Sequence, residues 1–369
     1  MVEWKELGDF LNYEQPTPYL VKSTDYDNTY KTPVLTAGQS LLLGYTNESD
    51  GIYEADKDNP CIIFDDFTTS FHWIDYSFKV KSSAMKMLKP KKNTNFRYIY
   101  YAMQQINFVP QQHQRHWISK YSHFLIPIPP LSEQNRIVGI LDTFTESIEN
   151  LKKQITERKK QYEHYRDQLL DLEGKPEKDI KLFGEICEMI KGNGVQKTDF
   201  VDEGIGCIHY GQIYTHYGSF TYTTNKFVSK EVFDKAKKAS KGDIVMTDTS
   251  ENVEDICKSV AYLGEEDIAV SNHALIIKHR QNPKFLSYTT YTKSFFNQKR
   301  KYAYGVKVTG IKPDHLARFL IYLPSIEEQN HIVSILDTFE ASIANLEQQL
   351  SLRQKQYEYY RNMLLTFDE

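Results

Sequence analysis

The chain reads as a mixed α/β (α+β) protein built twice: two globular domains alternate with two long helices, and the helices pair as an antiparallel coiled coil. Three observations predict this. The phrase "SEQNRIVGILDTF" from Ser132 returns as "EEQNHIVSILDTF" from Glu327. Apolar residues recur at heptad spacing downstream of each copy. Elsewhere, short β-rich runs such as "PCIIFDD", "GDIVMTD" and "ALIIKH" alternate with less regular segments, the pattern of mixed domains.

The repeat comes first because it decides the architecture. Residues 133–170 and 328–365 match at 24 of 38 positions. The first seam runs Ile137, Leu141, Phe144, Ile148, Leu151, Ile155, then Tyr162, Tyr165 and Leu169. The second runs Ile332, Leu336, Phe339, Ile343, Leu346, Leu350, then Tyr357, Tyr360 and Leu364. Arg158 and Arg353 interrupt the two seams at equivalent places; they either set register or let their stems snorkel. Neither segment contains proline, and each follows one: Pro129 and Pro130, then Pro324. Ser325 with Glu328 makes a capping box for the second helix. At about 1.5 Å per residue each helix is expected to be roughly 50–55 Å long.

Only the short linker "DLEGKPEKD" separates the first helix from the second globular part. That part therefore sits near the C-terminal end of the first helix, and the second helix starts from it. An intrachain pair is thus antiparallel. The repeat continues more faintly outside the helices. "WKELGDFL" from Trp4 resembles "IKLFGEIC" from Ile180, and residues 82–96 align without gaps to 271–285, matching Asn93 to Asn282 and Phe96 to Phe285. The division that follows is a first domain at 1–130, a helix at 131–172, a linker at 173–179, a second domain at 180–325 and a helix at 326–369.

No apolar run is long enough to span a membrane, and the start, "MVEWKELGDF", has no leader pattern. Four scattered cysteines form no C-x-x-C pair; they read as small buried groups in a reducing cytoplasm. Net charge is −4, which does not announce a nucleic-acid partner, yet the charge is segregated. Residues 1–75 carry 4 basic and 14 acidic side chains, whereas 76–132 carry 9 basic and none acidic. Residues 268–313 again hold 9 basic and no acidic side chain. Among these, Lys79, Lys81, Lys86, Lys89, Lys91, Lys92 and Arg115, with Lys293, Lys299, Arg300, Lys301 and Lys307, suit phosphate binding. Gln111, Arg115 and Asn272 are of the types that read base edges. The competing reading is a solvated basic face, with the neighbouring aromatics in the core.

No catalytic constellation emerges. "KGNGVQKT" lacks phosphate-loop spacing. No methyl-donor loop and no N-P-P-Y or D-P-P-Y stretch is present. The nearest nuclease-like "ERK" falls in the first long helix, and "HQRH" has no acidic partner or zinc spacing. Asp65 and Asp66 are adjacent, but the counterpart "VMTDTSEN" keeps only Asp248, so paired-acid catalysis is not expected. No metal site is expected either.

The pair "PIPPLSEQNRIVGILDTF" and "LPSIEEQNHIVSILDTF", each leading a helix of about forty residues, resembles the specificity (S) subunit of type I restriction–modification systems over essentially the whole chain. The resemblance implies two target recognition domains, each reading one half of a split, asymmetric site in double-stranded DNA, with the coiled coil as spacer and scaffold. It implies two modification (methyltransferase) subunits and a restriction subunit as partners. S-adenosylmethionine, ATP and Mg then belong to those partners, with no catalysis and no cofactor in this chain. The alternative is a coiled-coil adaptor that binds protein and has no affinity for DNA; a self-contained restriction enzyme is disfavoured by the missing motifs. On the DNA reading, Lys86→Ala or Lys299→Ala is expected to weaken binding broadly.

Overall fold

The computed structural model describes residues 2–38, 40–110, 114–305 and 308–367. It resolves into two compact units, Met1–Lys152 with Gln349–Glu369, and Lys153–Gln348. Each unit holds one globular part together with stretches of both long helices.

The long helices span Leu131–Leu170 and Ile326–Leu365, forty residues each, or about 60 Å. They start where expected, at 131 and 326, and end before 172 and 369, and forty residues make them slightly longer than the roughly 50–55 Å expected. In the second, the Ser325 hydroxyl accepts the Glu328 N–H at 3.3 Å. The first has no such serine; instead the Pro130 carbonyl takes the N–H groups of Glu133 and Gln134. In both copies the glutamine amide reaches back five residues to a proline carbonyl: Gln134 to Pro129 at 2.8 Å and Gln329 to Pro324 at 2.9 Å. The two amides are buried, so these bonds fix how the chain enters each helix.

The globular part of the first unit has a four-stranded antiparallel sheet in the order Leu11–Glu14, Met85–Pro90, Cys61–Asp65, Phe71–Ile74. The second unit repeats the order as Cys187–Lys191, Ala274–His279, Ile244–Thr247, Ser259–Tyr262, and adds Phe220–Thr221 in parallel. Strands with near-continuous burial, such as Cys61–Asp65 and Ile244–Thr247, lie in the middle of each sheet. A second, mixed sheet accompanies each: three strands in the first unit, five in the second. The first strand of each domain pairs with the strand that leads into its long helix, Glu3–Glu6 with Leu125–Ile128 and Ile180–Leu182 with Leu320–Tyr322.

A short helix follows the second sheet strand in each unit, Phe96–Met103 and Pro283–Thr289, capped by the side chains of Asn95 and Asn282. Asn95 is therefore the counterpart of Asn282, two residues off the gapless alignment. The first unit spends residues 91–95 between strand and helix, and the second only 280–282. These two helices dock the long helices by the same bonds. The cap asparagine donates to an asparagine of the repeated phrase, Asn95 to Asn135 and Asn282 to Asn330, both at 2.8 Å. A cation meets the aspartate of "ILDTF": Arg97 to Asp142 at 2.7 Å, Lys284 to Asp337 at 2.8 Å. A tyrosine hydroxyl donates to the same carboxylate, Tyr101 to Asp142 and Tyr288 to Asp337. Burial, with the carboxylate beside it, pushes both tyrosines above the ordinary phenol range.

All twelve heptad positions from Ile137 to Ile155 and from Ile332 to Leu350 are buried or half-buried. Their roles differ along the helix. Ile137 and Leu141 join the core of the first globular part beside Tyr98 and Trp117, and Ile332 and Leu336 join the second beside Phe285 and Tyr288. Farther along, the helices meet each other within each unit. Phe144 stacks on Tyr360 at 5.3 Å in the first, and Tyr165 on Phe339 at 5.3 Å in the second, where Lys159 also pairs with Glu347. The seam arginines lie over the facing phenylalanines, Arg353 over Phe144 at 5.6 Å and Arg158 over Phe339 at 5.9 Å.

The docking bonds make a prediction. Asp142→Ala strands a cation and a buried phenol at a partly open edge, so it is expected to lower stability by about 1–3 kcal/mol. All three tryptophans, Trp4, Trp73 and Trp117, lie in the first unit. The loss is therefore read as an earlier urea transition in tryptophan fluorescence, which Asp337→Ala should shift less.

Candidate nucleic-acid interface

The acid-free stretches do not form two basic faces. Lys79 is 1% exposed; its ammonium lies 3.2 Å from Glu48 and donates to the carbonyls of Asp50 and Gly51 at 2.6 and 3.2 Å. Lys86, also 1% exposed, lies 3.3 Å from the buried Asp66 and donates to Gln15. Lys299 is 5% exposed and gives its protons to the carbonyls of Glu254 and Ile256 at 2.8 and 2.9 Å. Burial lowers its pKa. These three expected phosphate ligands are structural instead. A lysine stem of this length, pointing inward from a strand or helix, puts its charge where carboxylates and loop carbonyls take it up.

Others are partly engaged. Lys89 donates to Asn59 and Lys91 to the Gly8 carbonyl at 2.7 Å; with the exposed Lys92 they lie at the far end of the strand Met85–Pro90. Lys293 is exposed at the start of the helix Lys293–Tyr302, beside Ser294, whose N–H donates to Asp171. Gln111 and Lys307 fall outside the described residues, as does His113 of "HQRH".

What remains gathers at one end of each central sheet. In the first unit this edge is reached as the chain leaves Cys61–Asp65. Asp66 donates its N–H to Ala84 at 2.9 Å, and its carbonyl accepts the His116 N–H at 2.9 Å. Lys81, exposed just before Met85–Pro90, and Arg115, exposed beside His116, therefore flank the same edge. Phe67 is also exposed there, 39%.

The second unit builds the same edge with different side chains. Asp248 follows Ile244–Thr247, donates its N–H to His273 at 3.2 Å and accepts the N–H of Ile311 at 3.1 Å. Asn272 and His273 are exposed in the adjacent turn, and His273 has a left-handed backbone, φ 64°, strain that persists only where its surroundings hold it. Tyr304, 52% exposed, bridges to Gly310, and Ser250 pairs with Thr309. Lys299 ties the end of its helix to the loop at 254–256; the exposed Arg300 and Lys301 follow on other faces of the helix, shortly before Tyr304 joins the edge, and Lys293 lies at the helix's opposite end.

Sequence reasoning paired "CIIFDD" with "DIVMTD", and so Asp66 with Asp248, but missed Thr249, His273 and Lys191. Burial holds the thiols of all four cysteines near 12, unpaired and well outside the reactive range.

Fold and edge together define a class of protein: a tandem of two like-folded domains, each docked on its own long helix by one motif, with unlike polar side chains on the equivalent edge. The sequence matches the type I restriction modification DNA specificity domain over residues 1–158 and 177–353. It is 37% identical to a type I restriction enzyme specificity subunit of Escherichia coli, over 99% of this chain and 94% of that one. Among solved structures, an S subunit from M. genitalium superposes with a TM-score of 0.60 at 15% identity, covering 100% of this chain and 97% of the other. A chain from a structure of type I complex assembly and conformational transition gives 0.55 at 15% identity, over 99% and 96%. The chain belongs to the type I restriction–modification specificity family.

The placement of the lysines separates two kinds of substitution. Lys86→Ala leaves the Asp66 carboxylate buried without its cation, a change that costs about 3–5 kcal/mol; it is expected to act on tryptophan-monitored unfolding of the first unit. Arg115→Ala, at an exposed site, is expected to leave the same transition within about 0.5 kcal/mol.

Proposed function

We propose that this chain is the sequence-reading subunit of a type I restriction–modification complex, in which each globular domain reads one half of a split, asymmetric site in double-stranded DNA. One observation carries this: the repeats share their helix-docking bonds position for position, while the equivalent exposed edges carry Lys81 and Arg115 in one unit and Asn272 and His273 in the other. Two like scaffolds with unlike edges suit a target with two unlike halves. Family membership supports the same reading.

In this proposal the heptad-bearing helices pair as an antiparallel coiled coil that fixes the gap between half-sites, with centres about one helical turn, ~34 Å, apart. The subunit supplies specificity and no catalysis. Two modification subunits bring S-adenosylmethionine and methyl transfer, and a restriction subunit brings the ATP- and Mg-dependent steps. No helix among the described residues is long and apolar enough to cross a membrane; we place the complex in the cytoplasm, where its DNA is.

Co-expression with the modification subunit of its own system, followed by mapping of methylated bases on DNA of known sequence, tests the reading. The expected result is one asymmetric motif of two short blocks around a fixed gap. A well-folded complex that neither methylates nor binds duplex DNA would favour the adaptor. Replacing Arg300 and Lys301 together with alanine is expected to weaken binding across all sequences and to reduce the slope of log K against log salt by about 2. Leu151→Asp, in the seam, is expected to change the gap or prevent assembly; an unchanged complex with an unchanged target would end the spacer role.

A further inference from the structure

The two reading edges grow from one buried group. Asp66 and Asp248 are each the first residue after the equivalent central strand, Cys61–Asp65 and Ile244–Thr247, and they are 2% and 5% exposed. Each makes the same pair of backbone bonds described above, one to the turn before the next sheet strand and one to the segment returning toward the long helix. A buried carboxylate in an equivalent place in both repeats, outside the helix-docking bonds, calls for a use.

Its surroundings differ between the units in a way that follows the edges. In the first, the Asp66 carboxylate accepts the N–H groups of His116 and Trp117 at 3.1 and 2.8 Å, and Lys86, fully buried, supplies the counter-charge. Among the described residues the hydrogen bonds to this carboxylate come from backbone N–H groups, and that backbone carries Arg115. In the second unit, Asp248 accepts the Thr249 hydroxyl at 2.9 Å, and the same hydroxyl lies 3.2 Å from His273 Nδ1. The counter-charge comes from a different strand: Lys191, 3.2 Å from the carboxylate with its own side chain 65% exposed. The His273 ring is further braced edge-on by Tyr210 at 5.3 Å. The carboxylate here fixes side chains that face solvent.

We propose that Asp66 and Asp248 are the positioning residues of the two DNA-reading edges. Asp66 sets the backbone that presents Arg115. Asp248 presents Lys191 and, through Thr249, His273, to the other half of the target. This deepens the sequence-reading role and rests on it. Charge-assisted hydrogen bonds to a carboxylate are stronger than neutral ones, and so hold their partners more firmly. Base discrimination needs groups held to within a fraction of an ångström, as in any preorganised site.

The test uses the complete complex with its modification subunit and a DNA library randomised at both blocks of the target. Asp66→Asn is expected to relax discrimination about tenfold or more at one block alone, and Asp248→Asn at the other, with the gap unchanged. Thr249→Val and Lys191→Met, which leave the core intact, should relax the Asp248 block even if Asp248→Asn fails to fold. If these variants lower stability while both blocks keep their wild-type tolerance, or relax both blocks alike, the aspartates are structural and the inference is overturned. A wild-type complex without a two-block target would instead overturn the sequence-reading role itself.

Discussion

The bond on which the rest depends is the docking of each long helix onto its own domain through the aspartate of "ILDTF" and the asparagine of "EQN". Burial of Ile137 and Leu141, or Ile332 and Leu336, supplies most of the adhesion, roughly 1.5–3 kcal/mol for each side chain. Hydrophobic contact alone does not choose a register: a helix slipped by one turn could still bury apolar side chains. The Asn95–Asn135 and Arg97–Asp142 bonds, and their twins at Asn282–Asn330 and Lys284–Asp337, do choose, because each needs one atom pair. Each is worth only about 0.5–1.5 kcal/mol net. Their value lies in excluding alternatives, since a slipped helix would leave them unpaired.

This explains why the phrase is repeated so closely while the domains drift apart. Gln134 and Gln329 fix the entry, the asparagines and aspartates fix the register, and the isoleucines and leucines fill the core. Little in the phrase is free to change. The edges around Asp66 and Asp248 lie at the end of the sheet, and among the described residues their exposed side chains make no bond to the docking motif. They can differ without disturbing it, and Arg115, in one unit, and His273, in the other, show that they do.

The repeat, the helices and the heptad seam were legible because they depend on local periodicity. The fate of the lysines was not. The chain is segregated by charge along its sequence, with acids before residue 76 and bases after, but folding undoes that segregation. Lys79 finds Glu48, Lys86 finds Asp66, Arg97 finds Asp142, and in the second unit Lys278 finds Asp243 and Lys284 finds Asp337. An acid-free stretch is then one half of an internal pairing scheme as much as a binding face. Which lysines stay free depends on which way each strand residue points, and short strands of uncertain register do not reveal that. The gapless alignment of the two domains failed for a related reason: a two-residue difference in the connection before the short helix preserves Asn95 and Asn282 as caps while shifting every number around them.

The seam arginines carry the same logic into the long helices. A charge at a heptad position costs desolvation, which is a reason to expect leucine there. Arg158 and Arg353 instead lie over Phe339 and Phe144, where a guanidinium over a ring regains about 0.5–1 kcal/mol at a partly open site. Each phenylalanine is also stacked by a tyrosine two turns beyond that arginine, Tyr165 or Tyr360. An arginine–phenylalanine–tyrosine sandwich made once in each unit has only one good alignment, because a heptad's slip would set the arginine against an aliphatic side chain. The seam thus gives up a little stability to hold one register. The proposed spacer role requires this, since a register error would change the gap between the half-sites.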